Sequence, residues 1–124
     1  DAKWLAPHVA YTISKFGMSL CALGMAKEFA ADGIAVNCLW PRTTIATSAI
    51  EHNFPPQILR ASRKPGIVAE AAHRIFLHDS RACTGNFFID EEVLREAGVT
   101  DFEQYAVTPG IPLFNDLFLE DRRE

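Results

Sequence analysis

The chain lacks most of what would mark a membrane, nucleic-acid or metal protein. No uninterrupted apolar run reaches the ~18 residues that a bilayer span needs. Positive charge is scarce: 12 Lys and Arg stand against 16 Asp and Glu, a formal net charge of −4. No basic run is present, and the Arg122-Arg123 pair sits in an acidic tail. That balance argues against nucleic acid or an anionic membrane surface as the main partner. The three cysteines, Cys21, Cys38 and Cys83, are too far apart for a Cys-x-x-Cys site. Each lies in an apolar stretch, so buried reduced thiols and a reducing, cytoplasmic compartment are expected. His8, His52, His73 and His78 lack metal-ligand spacing, and no metal is expected. The N-terminus does not begin with methionine and has no signal-peptide shape. The C-terminus Asp121-Arg-Arg-Glu124 is not a peroxisomal address.

What remains is ordinary globular composition, 48% hydrophobic and 23% charged over 124 residues, enough for one domain with a core. Within it, Tyr11-Thr-Ile-Ser-Lys15 carries chemistry. Helical residues four apart lie on one face, one turn from each other. A free tyrosine titrates near pH ~10, too high for proton transfer at neutral pH. A neighbouring ammonium favours the phenolate and lowers that value. The pair suits a general acid for a developing alkoxide, or a base for an alcohol.

Residues 9–31 are nearly free of breakers and apolar on far more than one stripe, with Ile13, Phe16, Leu20, Leu23, Met25, Ala26 and Phe29 prominent. Such a helix is expected to be buried on most sides, against its own sheet and a second subunit. Asp32-Gly33 reads as its stop, Gly33 taking the left-handed position. Residues 34–39 read as a strand buried on both faces, the parallel-sheet pattern. Residues 42–64 are irregular, with Pro55-Pro56 and several apolar side chains, the form of a lid or binding segment. A second helix is predicted over 67–78, a second strand over 84–89, and a helix over 91–97 capped by Asp90. Residues 100–124 are Pro-punctuated, and their aromatics predict a tail that docks on something. The organisation is therefore a catalytic helix and strand (1–40), a lid (41–66), a helix–strand–helix segment (67–99) and a tail (100–124). Two parallel strands are too few for a stable sheet. The fold expected is α/β: the C-terminal half of a doubly wound Rossmann-like parallel sheet, without its N-terminal dinucleotide-binding half.

Tyr11-x-x-x-Lys15, the long helix, Asp32-Gly-Ile-Ala-Val-Asn37-Cys-Leu-Trp-Pro41 and Thr84-Gly-Asn-Phe-Phe-Ile-Asp90 together resemble the short-chain dehydrogenase/reductase superfamily. The match covers nearly the whole chain. More narrowly, Leu39-Trp-Pro-Arg-Thr-Thr-Ile45, Thr84 to Glu91 and Tyr105-Ala-Val-Thr-Pro-Gly110 are similar to the hydroxysteroid dehydrogenase-like protein 2 group and its bacterial relatives.

The resemblance implies a Rossmann-like fold binding NAD or NADP. Tyr11 would give its proton to a substrate carbonyl, and Lys15 would hold the nicotinamide ribose hydroxyls. Pro41, Thr44, Ile45 and Thr47 would line the nicotinamide pocket, with backbone near Ile45 and the Thr47 hydroxyl on the carboxamide. Trp4, Leu5 and His8 would flank a carbonyl or alcohol substrate, with Phe54, Ile58 and Leu59 closing over it as an apolar lid. The long helix would pair subunits in a homodimer or homotetramer. Asn37 reads as a polar residue bonding across the sheet, Thr84-Gly85 as a turn opening a strand, and Cys38 as core.

The chain departs from the family pattern in two ways. Pro41-Arg42 stands where Pro-Gly is usual, and Ile45 and Thr47 come one residue later than in the commonest register. The Gly-rich turn that would seat a pyrophosphate is absent, as are the family's serine and asparagine, which would precede Tyr11. The parent is thus expected to be an NAD(P)-dependent oxidoreductase, with the 124 residues alone inactive. The alternative is a non-catalytic dimerisation or binding module derived from such an enzyme.

Overall fold

The computed structural model describes residues 2–119, the Trp4 side chain excepted. The Arg122-Arg123 pair lies outside the described residues. In chain order the elements are α1 (Ala2–Leu5), α2 (Val9–Glu28), β1 (Cys38–Trp40), α3 (Ser48–Asn53), α4 (Pro56–Arg60), α5 (Gly66–Phe76), β2 (Phe87–Ile89), α6 (Asp90–Glu96) and a 3₁₀ turn at Glu103–Tyr105. β1 and β2 form a small parallel sheet, so the α/β class holds. The chain divides into two compact units, Asp1–Cys38 with Phe76–Phe88, and Leu39–Ile75 with Ile89–Glu124.

The first unit is built on α2. It ends at Glu28, short of the expected residue 31. Four turn residues follow before Gly33, whose φ of +72° is the left-handed conformation a side chain resists. Among the described residues of α2, those buried are Thr12, Ser19, Ala22 and Ala26, all small. Small side chains let neighbouring backbone approach: a Cβ added at Gly85 would lie 3.6 Å from the Ala26 Cβ. The large apolar residues point the other way, with Ile13 68% and Leu20 69% exposed. Burial on most sides, expected from the sequence, is not what this chain by itself provides.

The first strand is shorter than predicted, and half-buried rather than buried on both faces. The reason is local. The Val36 N–H donates to Thr84 Oγ1 at 3.0 Å, and Asn37 uses its side chain on both sides of a turn. Its Nδ2 donates to the Cys83 carbonyl, and its Oδ1 accepts from the backbone and side-chain N–H groups of Asn86. Side-chain bonds are thus interleaved with backbone ones, the Gly85 N–H reaching the Val36 carbonyl at 2.8 Å and the Cys38 N–H the Asn86 carbonyl at 2.9 Å. Asn37 bonds across the pair as expected, and Thr84-Gly85 forms the turn. Cys38 and Cys83 are half-buried, but Cys21 is exposed on α2, contrary to the expected burial.

In the second unit, Ile67 and Ala71 of α5 and Val93 and Leu94 of α6 are buried with Phe102, Tyr105 and Ala106. The predicted irregular lid contains two short helices, α3 and α4, with Pro56 in the first turn of α4, where its missing N–H costs nothing. The tail docks on this same unit. Isolated bridges pair Thr43 with Asn115, Ile45 with Arg63, and Arg63 with Ala106. The Thr44 N–H donates to the Phe114 carbonyl, the Phe114 N–H to Ala61, and the Val107 N–H to Ser62. Trp40 and Phe118 meet edge to face with ring centroids 6.0 Å apart.

α2 also alters one sequence expectation. At 20 residues it is, by length and composition alone, apolar enough to cross a membrane, although no unbroken apolar run of that length occurs. A core helix of a soluble protein passes the same test. Lys15 inside it would cost about 2.5–3.5 kcal/mol at mid-bilayer.

Candidate active site

The first unit carries the Tyr-Lys pair. Both residues lie in the first two turns of α2, and the helix brings the Lys15 Nζ to 5.5 Å from the centre of the Tyr11 ring, within cation–π reach. Tyr11 is 43% exposed and Lys15 half-buried, so a ligand can reach both. The Ser14 hydroxyl donates to the Tyr11 carbonyl and the Ser19 hydroxyl to the Lys15 carbonyl, which ties the local backbone. Leu5 and His8 are exposed, the latter just before α2, where its carbonyl accepts from the Thr12 N–H. The side chain of Trp4, the remaining substrate-flanking candidate, lies outside the described residues.

The second unit carries the loop that follows Pro41. Thr43 and Thr44 are buried, and the Thr44 hydroxyl is committed to Ser62 Oγ at 2.7 Å. Ile45 sits in a parallel bridge with Arg63 whose bonds are made by its neighbours, Arg63 N–H to Thr44 C=O and Ala46 N–H to Arg63 C=O. That pattern turns Ile45's own N–H and C=O away from Arg63. Thr47 precedes α3 and is exposed, and among the described residues its hydroxyl makes no capping bond. Phe54 is exposed at the end of α3, whereas Ile58 and Leu59 on α4 are half-buried.

Sequence reasoning missed the charged cluster behind that loop. Asp90 is fully buried, and its Oδ1 accepts the Arg42 N–H at 2.8 Å as well as the N–H of Glu91. The cap predicted for Asp90 is therefore not made: it is the first residue of α6, and its carboxylate holds the loop instead. The Arg42 guanidinium pairs with Glu92. Glu91 receives Arg63 Nη1 at 2.6 Å and Arg95 Nη2 at 2.9 Å. Both cations also lie against the Phe102 ring, Arg95 at 4.5 Å and Arg63 at 5.4 Å from its centre. Burial pushes the Asp90 carboxyl above its usual value, against the two N–H donors and the nearby Arg63 charge. Burial acts the same way on Glu91, but the Arg63 and Arg95 hydrogen bonds outweigh it and hold that carboxyl low. In sequence, Asp90-Glu-Glu92 is indistinguishable from the acids common in a first helical turn.

No protein-family model matches the chain. Hydroxysteroid dehydrogenase-like protein 2 of Rattus norvegicus is 50% identical over 118 residues, which are 95% of this chain and 22% of that protein. The protein of the same name from Homo sapiens is 48% identical over 98% of this chain and 28% of its own length. The chain thus spans under a third of these curated relatives. Among solved structures, a dehydrogenase from Xanthomonas campestris superposes with a TM-score of 0.88 at 46% identity, over 98% of this chain and 44% of that one. A short chain dehydrogenase from Mycobacterium thermoresistibile gives 0.84 at 42% identity, over 100% and 44%. By sequence and by fold, this chain is a relative of the short-chain dehydrogenases, of the hydroxysteroid dehydrogenase-like protein 2 kind.

Proposed function

We propose that the chain forms the C-terminal half of a Rossmann-like, nicotinamide-dependent oxidoreductase that interconverts a carbonyl and a secondary alcohol. The observation that carries this reading is the Tyr11–Lys15 pair, an acid/base unit open to a ligand on one face of α2. The residues after Pro41 fit a nicotinamide carboxamide, which needs one donor and one acceptor. Ile45 offers a backbone N–H and C=O turned from Arg63, and Thr47 an uncapped hydroxyl. Thr44 does not fit, since its hydroxyl is buried on Ser62.

The bound cofactor supplies hydride, which side chains cannot. Tyr11 donates its phenolic proton to the carbonyl oxygen as negative charge develops there, and in the reverse direction takes the alcohol proton. Lys15 keeps a positive charge beside the ring, favouring the phenolate that this step leaves, and its ammonium can hold ribose hydroxyls. Phe54 and Ile58 of the second unit offer apolar surface that suits a hydrophobic carbonyl compound. The exposed apolar side of α2 pairs subunits in the same reading, in a cytoplasmic homo-oligomer.

The test uses the full polypeptide in which this chain occurs. NADH and NADPH binding is followed by nicotinamide fluorescence, and turnover by its absorbance with a panel of hydrophobic ketones. Binding together with a Tyr11→Phe protein that binds equally well but does not turn over supports the proposal. Absence of any nicotinamide binding, or full turnover by Tyr11→Phe, sinks it.

A further inference from the structure

Within the second unit, the start of the loop after Pro41 is held in an unusual way. The Arg42 peptide is gripped on both sides: its N–H donates to Asp90 Oδ1 at 2.8 Å, and its C=O accepts the Asp116 N–H at 3.1 Å. The next residues are anchored in turn, Thr43 bridging to Asn115 and Thr44 bonding Phe114 and Ser62. Of these anchors, the Asp90 carboxylate is the one charged acceptor, and charge-assisted bonds are about twice as strong as neutral ones. Asp90 is also fully buried, with Oδ2 lacking a hydrogen-bond partner among the described residues. A carboxylate kept buried with one oxygen unsatisfied is expensive. A structural cap would be served as well by an exposed Ser or Asn, so the cost calls for a different explanation.

We propose that Asp90 is a positioning residue for nicotinamide binding. Through the Arg42 N–H it fixes the register of residues 42–47, so that the Ile45 backbone and the Thr47 hydroxyl stand ready before a ligand arrives. The inference rests on the oxidoreductase reading for the identity of the ligand, but the pin itself does not. Arg42 itself fits the same device, its guanidinium paired with Glu92 and its N–H held by Asp90.

The experiment compares wild type, Asp90→Ala, Asp90→Asn and Tyr105→Phe in the full polypeptide. Tyr105→Phe removes a half-buried hydrogen bond of the same unit away from the loop, and so controls for general loosening. NADH and NADPH dissociation constants are read by fluorescence, and amide hydrogen exchange of residues 42–47 by mass spectrometry. Asp90→Ala is expected to weaken nicotinamide binding about tenfold, the usual scale of losing one ordering hydrogen bond. The kcat at saturating cofactor should change far less, and exchange should quicken in 42–47 alone. Asp90→Asn should recover part of the lost binding, short of wild type by the charge assistance it lacks. Its amide oxygen still accepts the Arg42 N–H, and its amino group displaces no bond, because Oδ2 made none.

Equal weakening in Tyr105→Phe overturns the proposal, as does unchanged exchange in 42–47 of Asp90→Ala. An Asp90→Ala protein that fails to fold overturns it too, for the carboxylate is then a requirement of the whole unit. If wild type binds no nicotinamide, the oxidoreductase reading has failed, and the exchange data alone then decide the pin.

Discussion

Arg63 and Glu91 face each other at 2.6 Å, with their side chains 5% and 8% exposed. They come from segments 28 residues apart, so the pair is tertiary and joins the start of α5's approach to the first turn of α6. Arg95 and Phe102 complete the enclosure, one turn on and in the tail. Two charges this deep repay their desolvation only while both are present.

Removing one partner should accordingly be severe. Glu91→Ala strands the Arg63 guanidinium and should cost about 3–5 kcal/mol. Denaturant midpoints of the full polypeptide measure this. A loss of under about 1 kcal/mol, the value of a surface pair, would show that the charges are effectively hydrated.

The same residue sets an acid limb. Glu91's carboxyl is held below its ordinary value of 4.5, so its contribution is complete above that pH and lost as the pH falls through the lowered value. Asp90 runs the opposite way: raised above 3.8, it favours the fold at lower pH and costs stability once ionised. Glu91→Gln should thus flatten the fall in Tm below about pH 4.5, while Asp90→Asn should raise Tm relative to wild type as pH climbs from 4 to 6. Thermal melts across that range read both slopes.

Tyr105 predicts an alkaline counterpart. Burial and its hydrogen bond to the Glu70 carboxylate push its ionisation up to about 12. Its stabilising share is fully present below pH ~10 and disappears as pH rises through the shifted value. Tyrosinate absorbance should show a step near 12 that Tyr105→Phe abolishes. The same substitution should cost about 1 kcal/mol at neutral pH.

Tyr11→Phe should lower kcat by about 10²–10⁴-fold, the range for removing a general acid, with cofactor affinity kept. Lys15→Met should lower both kcat and affinity, because that side chain is assigned a part in each. A Lys15→Met protein with normal nicotinamide affinity would separate the lysine from the ribose.

Gly33→Ala tests the turn after α2. The φ of +72° disfavours any Cβ, and the new methyl would also meet the Arg81 guanidinium at 2.8 Å. The guanidinium can swing aside, so the backbone term remains, about 1–2 kcal/mol.

These residues divide by how far their signals travel. The approach of Lys15 to Tyr11 on one helix face and the turn at Gly33 are legible because a helical repeat or a turn preference acts over a few positions. Asn37 was legible because a lone polar residue in an apolar strand must bond across it. The length of that strand was not, because Val36 bonds a threonine hydroxyl 48 residues away. Asp90 was misread for a related reason. An acid at a helix start satisfies the capping rule so well that its actual partner, the Arg42 N–H, leaves no trace in local sequence. The resemblance puts Thr44 among the cofactor contacts, and the commitment of its hydroxyl to Ser62 is again a distant pairing.

The interleaving of the tail with residues 42–63 has a consequence for any shortened form of the chain. A stop after residue 105 would strip the acceptor for the Thr44 N–H, the donor to the Arg42 carbonyl, the bridge partner of Thr43 and one of the two bridge partners of Arg63 in one stroke. Damage from such a truncation would surface some sixty residues upstream, in the loop after Pro41. Proteolytic nicking near Pro109-Gly110 should therefore read out as lost ligand affinity before it reads out as lost mass.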